Sequence, residues 1–175
     1  AGVESFNIAG RVKEYSGDYL LVSDANLGGR KSNLYVTNEI VQDVSVGRDG
    51  SVTKTVTITY KNSQGYDGWL NSLLPSWVRI YVPKGSEPLG AEGLEAKEDA
   101  YTDLDKTVFA GYFQLRPEGV AKVTFKYKLP MKMTKEYKLL IQKQPGTDGP
   151  LYTINLGRHE EEFLLKTDKE VKIGI

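Results

Sequence analysis

Few side chains in this sequence are of kinds that do chemistry, and their spacing limits what they could do. The 175 residues include no cysteine and one histidine. That excludes disulfides, thiol nucleophiles, thiolate-held zinc or iron–sulfur centres, and any site needing two histidines. His159 lies in Arg-His-Glu-Glu-Glu, a charged stretch expected to face water, whereas a Ser–His–Asp triad needs a buried, oriented imidazole. There is no Gly-x-Ser-x-Gly elbow and no phosphate loop. Carboxylates are plentiful, and Asp99, Asp103 and Asp105 could offer oxygens to Ca²⁺; no other cofactor is expected. In Asp24-Ala-Asn-Leu-Gly-Gly29, Gly28 stands where a third calcium ligand belongs, so the segment reads as a glycine turn with Asx hydrogen bonds. Acids paired for glycoside hydrolysis lack any cleft signature. No catalytic residue is assigned, and the chain is read as not an enzyme.

The remaining candidates bind rather than react. Both tryptophans fall within Tyr66–Trp77. Exposed, Tyr66, Trp69 and Trp77 would stack on a sugar or anchor a partner; buried, they would plug one end of the fold. Lys122, Lys126 and Lys128 form a stripe that could meet an anionic wall polymer. Lys54 interrupts the apolar phase between Val52 and Val56. Such a charge is costly unless paired or close to a strand end, and snorkelling near the turn is the expected resolution. The sharper reading is an isopeptide crosslink, with Asn155 as the acyl partner.

Positioning these residues falls to strands. Val52, Val56, Ile58 and Tyr60 share one phase, and Thr53, Thr55, Thr57 and Thr59 the other. Val123, Phe125, Tyr127 and Leu129 likewise alternate with Lys122, Thr124, Lys126 and Lys128. This period of two marks half-buried strands. Further strands are expected over residues 18–23, 33–46, 77–82, 107–115, 137–143, 151–156 and 170–175. Asp49-Gly50 and Pro117-Glu118-Gly119 are hairpin signals. Gly111, between Phe109 and Phe113, marks a bulge or the close approach of another strand. Helical turns are expected near Tyr66–Leu74 and Ala96–Leu104. The expected fold is all-β: an antiparallel β-sandwich of immunoglobulin- or fibronectin-like layering. Two long loops, Tyr66–Trp77 and Leu89–Asp105, leave it. Residues 1–17 are an arm or first strand, and 18–175 a single domain.

Charge totals hide a segregation. Lys plus Arg and Asp plus Glu are both 23, a formal net charge of zero, which gives no basic excess for nucleic acid. Yet Ser86 to Asp105 carries −6, and Arg116 to Lys143 carries +6. Solvated faces that keep sheet edges from pairing account for most such runs. No apolar run is long enough for a membrane span. The opening Ala-Gly-Val suggests a processed protein or a piece of one.

Five ordered segments carry a family likeness: Thr57-Ile-Thr-Tyr-Lys-Asn62, Arg79-Ile-Tyr-Val-Pro-Lys-Gly-Ser86, Lys106-Thr-Val-Phe-Ala-Gly-Tyr-Phe113, Pro117-Glu-Gly-Val-Ala-Lys-Val-Thr-Phe-Lys-Tyr-Lys-Leu-Pro130 and Tyr137-Lys-Leu-Leu-Ile-Gln-Lys-Gln-Pro-Gly-Thr147. With the approach from Asp18 to Asn33, they resemble the C-terminal portion of the bacterial family called domain of unknown function 4012. The resemblance runs from about Asp18 to Leu156; the acidic stretch from Leu89 to Asp105 departs from it. It implies a β-rich end of an extracytoplasmic protein held by an upstream membrane helix, with no catalytic residue to carry over. The function expected is a structural or interaction module at the cell envelope. Its partner would be its own upstream domain or another envelope protein. The alternatives are a carbohydrate- or wall-polymer-binding module and an accessory domain of an envelope enzyme.

Overall fold

The computed structural model describes residues 11–29, 31–133 and 135–175. Thirteen strands are formed among the described residues: β1 (Asp18–Asn26), β2 (Val36–Val46), β3 (Ser51–Asn62), β4 (Leu74–Pro83), β5 (Glu87–Glu92), β6 (Ala96–Lys97), β7 (Tyr101–Asp103), β8 (Lys106–Leu115), β9 (Val120–Lys132), β10 (Glu136–Gln142), β11 (Leu151–Leu156), β12 (His159–Leu164) and β13 (Lys169–Gly174). The described residues include no α-helix, only a 3₁₀ turn at Ser32–Tyr35. The expected helical turns are absent: residues 66–73 are irregular, and β6 and β7 occupy the stretch around Ala96–Leu104.

The strands form two sheets. One has the order β13-β10-β1-β4-β8-β6, with β7 also on β8; the other is β12-β11-β2-β3-β9-β5. The fold is an all-β sandwich, but its sheets are mixed rather than purely antiparallel. β1 runs parallel to β10, and β2 parallel to β11. Parallel neighbours cannot be joined by a tight turn, so these pairs form between segments far apart in the chain.

Alternation explains the packing. Leu20 and Val22 of β1, Ile80 of β4 and Leu139 and Ile141 of β10 face Ile40 of β2, Val56 and Ile58 of β3 and Phe125 of β9, in one buried core. Tyr19, Leu21, Tyr81, Val108 and Ala110 form a smaller cluster on the opposite phase of the first sheet. Val12 and Tyr15 pack against it, and Gln142 accepts from Lys13 N and donates to Arg11 O; the rest of the expected arm or first strand, residues 1–10, lies outside the described residues.

The Asp49-Gly50 turn joins β2 to β3: Gly50 has φ of 80°, and Asp49 Oδ1 accepts from Ser51 N and Oγ. Gly111 marks a close approach. A Cβ there would lie 2.5 Å from Leu94 Cδ1 and 2.7 Å from Ala96 O. Leu94 can turn aside but the carbonyl belongs to backbone. Gly111→Ala is therefore expected to cost about 1–3 kcal/mol by overpacking, read as a lower urea midpoint with unchanged slope.

Candidate functional site

The interior of the sandwich carries polar ties between the sheets, two of them from β1 to β3. Asp18, Leu20, Val22 and Asp24 share one phase of β1; Val52, Lys54, Val56, Ile58 and Tyr60 share one phase of β3. Lys54 does not snorkel. It has 0% exposure, as has Asp18, and its Nζ lies 2.6 Å from Asp18 Oδ2. Tyr137 of β10 donates to the same Oδ2, and Asp18 Oδ1 accepts from Tyr19 N at 2.7 Å. Tyr127 is the register partner of Lys54, and its hydroxyl has no hydrogen-bond partner among the described residues. Burial pulls the Lys54 ammonium below its ordinary pKa, against the pull of Asp18. Burial and Asp18 together push the Tyr127 and Tyr137 phenols well up.

Asn155 is not the partner of Lys54. It lies on β11, where its Nδ2 donates to Asp43 Oδ1 at 2.8 Å, an exposed pairing. Asp18 was missed by the sequence reading, although its place on the phase of Leu20 and Val22 is the signal that an acid is buried.

The second tie joins Asp24 to Tyr60, whose hydroxyl donates at 2.6 Å. Burial pushes the Asp24 carboxyl up to about 6, partly offset by the Tyr60 hydrogen bond. An acid whose folded pKa lies above its unfolded value binds protons more tightly when folded. Its contribution is fully present below about pH 4 and is lost as pH rises through about 6. Because Asp24 is only partly buried, solvent screening reduces the effect. The stability of the wild type relative to Asp24→Asn should fall by about 1–2 kcal/mol between about pH 4 and pH 7, measured by urea titration at each pH. The turn that follows is an Asx turn as expected, with Gly28 N donating to Asn26 Oδ1 at 2.8 Å.

Exposed aromatics occupy the β3–β4 loop. Trp69 is 82% exposed and Tyr66 71%. The loop is ordered by its own polar groups. Asp67 Oδ1 accepts from the backbone N of Trp69, Leu70 and Asn71 at 2.9, 2.6 and 2.7 Å. Buried Asn71 donates to Gln64 O and Gly65 O and accepts from Asn62 Nδ2. Ser32 Oγ accepts from Ser72 N and bonds Leu70 O and Ser72 O. Leu27, Leu34 and Leu73 are exposed on the same or bonded segments. Trp77 is different: it belongs to β4 and packs, partly buried, against the smaller cluster around Tyr19 and Tyr81. The expected loop therefore ends before Trp77, which is a packing residue.

Lys122, Lys126 and Lys128 face water on β9, but not as an unshielded basic strip. The second expected loop is a set of edge strands, and its β5 pairs with β9, placing Glu87 opposite Lys128 and Glu92 opposite Thr124. The acidic and basic runs thus meet in one sheet. Asp103 accepts from Tyr81 OH at 3.2 Å and Asp105 pairs with Lys84 at 2.7 Å, and no cluster of three metal-ligating side chains occurs among the described residues. An open cavity of about 300 Å³ brings Asp99 and Lys126 together with Pro88, Leu89 and Phe109. His159 is exposed on β12, 3.8 Å from Glu161. No helix among the described residues is long and apolar enough to cross a membrane.

No family model and no curated protein matches the chain. Among solved structures it is similar to a candidate nutrient-binding protein from Legionella pneumophila, at 7% identity and a TM-score of 0.46, over 79% of this chain and 54% of that one. Two structures of an M1 zinc metallopeptidase from Deinococcus radiodurans align at 11% identity and TM-scores of 0.37 and 0.36, over 79% of this chain and 39% and 38% of those. The chain thus spans about half the length of the first and well under half of the others.

Proposed function

We propose that this sandwich is a non-catalytic interaction module of a larger bacterial cell-envelope protein, as its resemblance to the domain of unknown function 4012 family implies. The observation that carries the binding role is Trp69, 82% exposed on a loop that Asp67, Asn71 and Ser32 hold in place. A large apolar ring carried on an ordered backbone spares the loop part of the ordering cost on binding, which is what an interface anchor needs. Tyr66, Leu73, Leu34 and Leu27 extend the apolar surface at that end, and exposed apolar groups gathered at one end mark contact surfaces. The partner is the upstream domain of the same protein or another envelope protein.

A second reading, a carbohydrate or wall polymer, is favoured by the chemistry of Trp69 and Tyr66, since indole and phenol faces stack on sugar rings. Retention on isolated envelopes tests the proposal. The wild type is retained and Trp69→Ala is not, and digesting the envelopes first with protease or with a wall hydrolase tells a protein partner from a polymer.

A further inference from the structure

We propose that Lys54 and Asp18 condense spontaneously into an intramolecular isopeptide bond, tying β3 to β1 across the core. Four observations converge on this pair. Both side chains have no exposure at all, so water neither solvates the charges nor dilutes the reactants. The nucleophile is already in contact with the acyl group: Nζ is 2.6 Å from Oδ2. Reacting atoms about 3–3.5 Å apart define a near-attack arrangement, and an amine touching a carboxyl oxygen needs only a small shift to address its carbon. Asp18 is the sole hydrogen-bond partner of the ammonium among the described residues. Three N–H bonds facing one acceptor make the charged lysine costly there, and an amide, with one N–H, removes that cost. Burial also lowers the pKa of Lys54, which raises the share of free amine.

The surroundings are divided as the reaction requires. Lys54 Nζ attacks Asp18 Cγ; one N–C bond forms and the Cγ–Oδ2 bond breaks. Of the three protons on the ammonium, one stays on the amide nitrogen and two leave on Oδ2 as water. Negative charge gathers on Oδ1 in the tetrahedral intermediate, where Tyr19 N–H already donates at 2.7 Å. Tyr137 hydroxyl donates to Oδ2, the departing oxygen. Tyr127 hydroxyl, without a partner among the described residues and on the register partner of Lys54, offers the departing water a polar contact. No oxidant, cofactor or second enzyme enters. β1 and β3 both lie inside their sheets, so the bond staples the two layers at their centres.

Intact mass of the purified chain under denaturing conditions, followed by tryptic mapping, tests this. The expected mass is lower than the sequence mass by one water. The map should hold a branched peptide joining residues 14–30 to residues 49–61, with trypsin unable to cut after Lys54. Lys54→Arg should carry the full sequence mass. The proposal is overturned by a wild-type chain at full sequence mass after prolonged incubation in the folded state. It is equally overturned by a water loss that persists in Lys54→Arg, or one that maps to a cyclic imide at Asp49-Gly50, Asp67-Gly68 or Asp148-Gly149. The wild-type result stands even if the variant does not fold.

Discussion

Replacing Lys54 with methionine is expected to cost the fold about 3–5 kcal/mol, the usual result of leaving a buried charge without its partner. Asp18 would keep its hydrogen bonds from Tyr19 N and Tyr137, but its carboxylate would sit at 0% exposure with no cation. Methionine fills nearly the same volume, so a cavity is not the cause of the loss. The paired variant Asp18→Leu/Lys54→Met should recover much of the electrostatic part, because apolar replacement of a whole buried pair is often neutral. Recovery is incomplete, since Tyr19 N–H and the Tyr137 hydroxyl lose their acceptor. A covalent tie lost in both variants stays lost in both. Urea denaturation of the two variants measures this. A single variant within about 1 kcal/mol of wild type would mean that the pair does not hold the core together.

The strands that bury one face were readable from the chain. Val52 to Tyr60 and Val120 to Leu129 alternate because β3 and β9 each turn one phase inward. Two of the edge strands gave no such signal. β5 is exposed along most of Glu87–Glu92, and β12 reads His-Glu-Glu-Glu-Phe-Leu. Backbone bonds to β9 and β11 form these strands whatever their side chains, so a search for alternation passes them over. The parallel pairs were hidden for a different reason: hairpin turns are written locally, and the meeting of β1 with β10 is not.

At the candidate site, the misplaced charge of Lys54 was visible while its partner was not. An alternation marks which phase is buried but does not say which strands of the opposite sheet face it. Asn155 was on a suitable strand and lies on the outward phase. Trp69 and Trp77 looked equivalent in one apparent loop. Their difference comes from where β4 begins, at Leu74, which commits Trp77 to the sheet and leaves Trp69 outside it. The neutrality of the whole chain proved to be a local matter too, since acidic β5 lies against lysine-bearing β9.

Trp69 is the residue on which the functional reading turns. At 82% exposure, its truncation removes almost no buried surface, so Trp69→Ala should leave stability within about 0.5 kcal/mol. Its backbone N–H still reaches Asp67, so the loop keeps its shape. Binding should behave otherwise. An aromatic anchor at the centre of a contact is worth about 2 kcal/mol or more, or about thirty-fold in affinity. The most direct measurement is the dissociation constant of wild type and Trp69→Ala on isolated bacterial envelopes, with thermal melts of both. The account predicts saturable wild-type binding, weakened about thirty-fold or more in Trp69→Ala at an unchanged melting temperature. Equal affinities, or no saturable binding by the wild type, would contradict it.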